Sequence, residues 1–230
     1  IARVAATLRE QAPSSPAGYT VEGDLAGAEG RWMEAASAYA RALEIRFGAP
    51  LVIKRHRALL RAGRAGDAEA ALRDALRIGD GNIALRMYAG EQAVAAGRWR
   101  TAIEHYDAVV AIDPNHVVAL NNLAWSLREA RDPRALAVAE DAWKRAPNAA
   151  QVADTLGTIL IDGGDASRGL ALFKRAMELA PEVPQYRLKY AQALARQGAS
   201  IEAKAAIEPL LRDFPGSPQA DAARALSNRL

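Results

Sequence analysis

DTLGTILIDGGDASRGL, residues 154–170, sets Asp162 and Asp165 on either side of the glycine pair Gly163 and Gly164. A calcium loop, a phosphate cradle and a bend between two helices all have this look. A calcium loop needs oxygen ligands at alternate early positions and a closing glutamate. Counted from Asp162, those places hold Gly164, Ala166 and Phe173, so the metal reading fails. The sequence has no G-x-x-x-x-G-K-[ST] or G-x-G-x-x-G run to cradle a phosphate. The bend remains. A glycine ends one helix in the left-handed conformation without strain, and Asp165 is placed to cap the next.

The same bend recurs at a fixed interval. Pro114, Pro147, Pro181 and Pro215 are spaced by 33, 34 and 34 residues. Continued backward, the phase meets Asp80, Phe47 and Pro13 at spacings of 34, 33 and 34. Glycine returns between the helices of each unit as Gly30, Gly63, Gly97, Gly164 and Gly198. Small residues return where the two helices of a unit must cross, since only a small side chain lets helix axes come close. One such set is Gly23, Gly90, Ala124, Gly157 and Ala191; the other is Ala35, Ala68, Ala102, Ala135, Gly169 and Ala203. Tyr39, Leu72, Tyr106, Ala139, Phe173 and Ile207 fill the space beside the crossing. Ala42, Ala75, Val109, Ala142, Ala176 and Leu210 form a second apolar set on the same helices.

A helix–turn–helix unit of about 34 residues resembles the tetratricopeptide repeat, TPR. The expected fold is all-α, a right-handed α-solenoid (superhelix) of stacked helix–turn–helix units, essentially one elongated domain. Six units are expected at 16–48, 49–82, 83–116, 117–149, 150–183 and 184–217. Residues 1–15 read as the second helix of a preceding repeat, and 218–230 as a C-terminal capping helix. "APSSP" at 12–16 reads as a turn between units. Unit 49–82 matches least well. Arg55 and His56 stand where an apolar and a small residue belong, which implies a looser crossing or a shifted register.

Composition agrees with a packed helical chain and narrows its chemistry. Of the 230 residues, 50% are apolar and only 6% aromatic, and there is no cysteine. Disulfides and thiolate chemistry are therefore excluded within this sequence. A net charge of +3 is too small to argue for nucleic acid. No stretch has the roughly 18 apolar residues that span a bilayer. The sequence starts at Ile1 without a charged-then-apolar leader, which reads as a piece of a longer chain. No H-E-x-x-H and no G-x-S-x-G occurs. His105 and His116 lack a partner one helical turn away, and the histidines read as solvated or edge residues. The chain is expected not to be an enzyme and to hold no metal or cofactor.

Binding residues are expected on the first helices of the units, which line the concave face of such stacks. There Lys54, Arg57 and Arg61 form one helical stripe, with Arg64 just beyond. The next units offer Met87, Tyr88 and Glu91, then Asn121, Asn122, Trp125 and Arg128. A basic stripe beside the aromatic pair Tyr88 and Trp125 would suit an acidic peptide or an anionic glycan. The bland alternative is a solvated basic face. Trp32 and Trp99 read as packing between units, and Trp143 as core or outer surface.

Two stretches go beyond the generic repeat: ALNNLAWSLREARDPRALAVAEDAWKRAPN (119–148) and DTLGTILIDGGDASRGLALFKRAMELAP (154–181). With YAQALARQG (190–198) they resemble the C-terminal repeats of the TPR-repeat lipoproteins of the exosortase (PEP-CTERM) system. The likeness runs over about 117–217. It implies a periplasmic protein, membrane-anchored through a cysteine outside this sequence, that serves as a scaffold in exopolysaccharide or protein export. It supplies no catalytic residue. Another TPR property, the chaperone-type carboxylate clamp, is not expected, because Met87 and Glu91 stand where it needs Lys and Asn. The expected partner is a protein or peptide in the groove. The alternatives are an anionic glycan in the groove and a generic cytoplasmic TPR adaptor.

Overall fold

The computed structural model describes residues 2–230, and every regular element among them is an α-helix. Ile1, in the 1–15 segment, lies outside the described residues. The helices are α1 (Ala2–Gln11), α2 (Ala17–Ala28), α3 (Trp32–Ile45), α4 (Ala49–Arg61), α5 (Ala65–Ile78), α6 (Ile83–Ala95) and α7 (Trp99–Ile112). They continue as α8 (Val117–Glu129), α9 (Ala135–Arg145), α10 (Ala150–Asp162), α11 (Ala166–Leu179), α12 (Pro184–Arg196), α13 (Ser200–Asp213) and α14 (Pro218–Ser227). From α2 onward, helices of 11 to 14 residues alternate with short turns and pair as first and second helices up to α13. This is the stacked helix–turn–helix architecture of TPR solenoids.

Contacts divide the chain into two compact units, Ile1–Gln92 and Ala93–Leu230. In the first unit Ala26, Ala35, Tyr39, Ala58, Leu59 and Ala68 form one apolar cluster. Val52, Leu72, Ala75, Leu85 and Tyr88 form another. In the second, Leu120, Ala142 and Val152 pack with Trp143, and Leu188, Ala191, Ile207 and Leu210 pack with Ala220 and Ala223 of α14.

The small residues sit at the crossings for the reason anticipated. A Cβ on Gly23 would lie 2.5 Å from the Tyr39 ring. Gly157 and Gly169 bring backbone against backbone, since a Cβ on Gly169 would lie 3.0 Å from the Gly157 carbonyl oxygen. His56 takes the corresponding place in α4 without shifting the register, because Ala68 and Leu72 are buried as the period requires. It is buried, not a solvated or edge residue. Its Nδ1 shares a 2.7 Å hydrogen bond with the Tyr88 hydroxyl, and the rings meet edge to face at 5.3 Å. Two large polar rings thus fill the space that a small residue leaves elsewhere. Burial holds the His56 pKa below its ordinary value. The unfolded chain therefore takes up a proton, near the ordinary histidine pKa of about 6.5, that the folded chain refuses. Stability should fall as pH drops through that range. His56→Gln should lose this part of the pH dependence in thermal melts, and an unchanged slope would remove His56 as its source.

All five recurring glycines have positive φ, between 66° and 89°. The unit 117–149 puts Arg131 there instead, at φ 57°. A left-handed non-glycine residue costs about 1–2 kcal/mol, part of which glycine would return as unfolded-chain entropy. Arg131→Gly should therefore raise the unfolding free energy by about 0.5–1 kcal/mol. A urea midpoint that falls would show that the Arg131 side chain contributes more than its backbone costs.

Candidate functional site

In the second unit the first helices α8, α10 and α12 are tied together across the repeat by charged side chains. Arg128 of α8 donates from Nε to Asp162 of α10 at 2.6 Å and also pairs with its neighbour Glu129. Lys189 of α12 donates to Asp154 of α10 at 2.6 Å. Between these ties lies a cavity of about 210 Å³. Trp125, Ile161, Phe173 and Ala193 give it apolar walls, and Arg128, Lys189 and Arg196 give it positive charge. Thr158, Gln192 and Asp162 complete the lining. Trp125 is half-buried, with the Arg128 guanidinium 4.8 Å and the Lys189 ammonium 5.8 Å from its ring centroid. Arg196 forms no ion pair among the described residues.

Asp154 is the least expected member. Its residue is only 9% exposed, and Oδ1 is buried without a hydrogen-bond partner. Burial pushes its pKa up, while the hydrogen bond and charge of Lys189 pull it back. Tyr186 is raised by its own burial and further by the charge of Asp154. An ion pair this buried sits outside the apolar logic of the repeat core, where a hydrophobic pair would be at least as stable.

The residues expected from sequence fall into three groups. Trp125 and Arg128 line the cavity, and Asn122 is half-buried one turn before them on α8. Tyr88 and Asn121 are corrections, because both are buried, each at 4% exposure. Tyr88 is held by His56, and Asn121 lies under Asn122 with a long 3.5 Å contact between their amides. The basic stripe of α4 is already engaged. Lys54 pairs with Asp24 at 2.6 Å, Arg57 stacks over Tyr88 at 5.4 Å and Arg61 over Trp32 at 5.7 Å. Arg64 pairs with Asp67 and Met87 is half-buried on α6. Tyr88 and Trp125 belong to different compact units. The loop around Gly163 and Gly164 is a helix turn: the Asp165 carboxylate accepts from the Arg168 amide at 3.1 Å and Gly164 has φ 89°.

Residues 160–226 match a family model described as tetratricopeptide repeat. The match takes in the α10 end, α11 and α12 residues of the cavity. Protein FlbA of Caulobacter vibrioides is 36% identical over 107 residues, which is 46% of this chain and 18% of that protein. The chain thus spans less than a fifth of this relative's length. Among solved structures, the C-terminal part of a TPR repeat-containing protein from Cytophaga hutchinsonii aligns over 96% of this chain and 92% of its own, with TM-score 0.72 and 11% identity. YrrB, described as a TPR protein with an unusual peptide-binding site, aligns over 79% of this chain and 94% of its own, with TM-score 0.59 and 18% identity. At these identities the structural likeness carries the fold alone.

Proposed function

We propose that the chain is a non-enzymatic protein-interaction scaffold, and that a segment of a partner protein docks on the α8–α10–α12 face. The observation that carries this reading is the cavity around Trp125, where apolar walls meet three cations, one of which, Arg196, forms no ion pair among the described residues. A single side chain fills a space of about 210 Å³, and neighbouring cations hold a carboxylate beside it. The TPR match over 160–226 and the peptide-binding description of YrrB support it. The test is capture from envelope extract with the chain and its Trp125→Ala variant as baits. A partner lost with the variant, at unchanged circular dichroism, places the interface at Trp125. A partner retained equally by both overturns the reading.

The second reading is direct binding of an anionic glycan, favoured by the aromatic ring set between cations. A sugar stacking on Trp125 must compete with the Arg128 guanidinium already over the ring, which ranks this reading second. Enrichment of polysaccharide without protein would reverse the order. The resemblance of residues 117–217 to the exosortase-system lipoproteins supports a place in exopolysaccharide or protein export. A periplasmic location and a membrane anchor outside this sequence go with that proposal. Fractionation of the full-length protein decides between it and a cytoplasmic adaptor.

A further inference from the structure

The first unit has a second concavity, on its second helices, and it is the larger one. A groove of about 620 Å³ runs between α3 and α5, floored by Val52, Arg55 and Leu59 of α4. The α3 wall is the stripe Met33, Ala36, Ala40 and Glu44, with Phe47 just past the helix end, and the α5 wall runs from Asp67 through Ala71 to Ile78. Both follow the three- and four-residue steps of one helix face. The groove exists because its middle is alanine and serine: the corresponding stripe of α7 carries Ile103, Glu104, Asp107 and Val110. Its ends are large and apolar instead, with Met33 44% and Ile78 73% exposed to water.

The geometry points to this groove as a docking site for an amphipathic α-helix of a partner protein, apolar on one face and basic along its flank. The form of the occupant follows from the walls. Both are helices, which present side chains and no backbone edge. An extended segment would bury its own N–H and C=O groups unpaired, at a cost of a few kcal/mol for each, whereas a helix satisfies them internally. Alanines at the middle let a third helix axis approach to about 8–10 Å. At about 1.5 Å per residue, the helical wall from Met33 to Glu44 spans roughly 16 Å, room for about three helical turns.

The charge of the occupant follows from the lining. It holds three carboxylates, Glu44, Asp67 and Asp74, against one guanidinium, Arg55, a net charge of −2 on a chain whose total is +3. Asp67 and Asp74 are shared with Arg64 and Arg77 on their own helix. Glu44 and Arg55 are the lining charges without an ion pair among the described residues; Arg55 lies half-buried on the floor, so exposed Glu44 is the rim charge left for a lysine or arginine of the incoming helix. The site is separate from the Trp125 face, and neither proposal depends on the other.

The test uses the whole chain and two labelled peptides of about 14 residues, each a lactam-stapled helix with leucines on one face. One carries lysines along the flank, the other glutamates. Fluorescence anisotropy should show the lysine peptide binding at least about tenfold tighter. Ala40→Phe, which fills the half-buried middle of the groove, should weaken it by about tenfold or more, and Glu44→Lys should narrow the preference for lysine. Ala71→Phe fills the groove from the opposite wall and serves if Ala40→Phe does not fold. Trp125→Ala should leave the affinity unchanged. Equal binding of both peptides, or binding indifferent to both filling variants, overturns the proposal. So does sedimentation showing a dimer of this chain that Ala40→Phe dissociates, because the occupant would then be a second copy.

Discussion

Lys189→Met should lower the unfolding free energy by about 3 kcal/mol near pH 7, the low end of the range for breaking a buried pair. The figure sits at that end because the Lys189 side chain keeps 23% exposure. The substitution removes the one positive charge hydrogen-bonded to Asp154, whose Oδ1 already lacks a partner. The pH dependence identifies the cause. Burial holds the folded-state pKa of Asp154 above its ordinary value, and loss of Lys189 raises it further. Below that pKa the folded variant binds a proton that the unfolded chain releases, so the deficit shrinks as pH falls toward the ordinary carboxylate range. Asp154→Asn in the same chain should recover most of the loss near neutral pH. Urea titrations of the three proteins at two pH values check this. A deficit that is constant with pH and survives Asp154→Asn would mean that Lys189 acts through packing.

Gly169→Val has an effect of the same size for a steric reason. A Cβ on Gly169 would lie 2.6 Å from Ile161 and 3.0 Å from the Gly157 carbonyl oxygen. Ile161 can turn aside, but the backbone cannot, so α10 and α11 must separate. Overpacking of this kind costs about 1–3 kcal/mol, and a β-branched side chain against a backbone belongs at the upper end. Gly157→Ala should be milder, because its Cβ would meet the Phe173 ring at 3.0 Å and the Gly169 carbonyl oxygen at 3.2 Å. Equal denaturation midpoints for Gly169→Val and the parent would show that the crossing is wider than its backbone geometry requires. Ile161 and Phe173 also line the Trp125 cavity, so Gly169→Val should weaken partner binding as well.

The fold was legible because it repeats. Each glycine of the recurring turn, each small residue at a crossing and each large residue beside it had five counterparts against which to be checked. Arg131 and His56 break the series, and in both cases the structure keeps the geometry and changes what fills it. The site was less legible, for the same reason in reverse: binding residues are those that do not recur. Trp125 and Arg128 stand out in the sequence as unusual residues on a first helix, and both line the candidate cavity. Asp154 and Lys189 were missed, although Asp154 opens the stretch that decided the fold. A signal was available. Residues about one period apart lie on adjacent first helices, as Arg128 and Asp162 do at a separation of 34 and Asp154 and Lys189 at 35. Opposite charges at that separation mark ties between units. Tyr88 failed as a surface residue because its burial depends on His56, one repeat earlier and itself an exception.

The division of contacts inside α6 bears on how any of these substitutions is observed. Two compact units need not lose structure at one denaturant concentration, and a single unfolding free energy then averages two events. The four tryptophans are unevenly placed: Trp32 is in the first half, and Trp99, Trp125 and Trp143 are in the second. Intrinsic fluorescence is therefore mainly an optical record of residues 93–230, while circular dichroism counts helices throughout. A gap between the two signals along a denaturation curve would measure how independently the halves melt. Perturbations at His56 belong to the dichroic signal, and those at Lys189 and Gly169 to the fluorescent one.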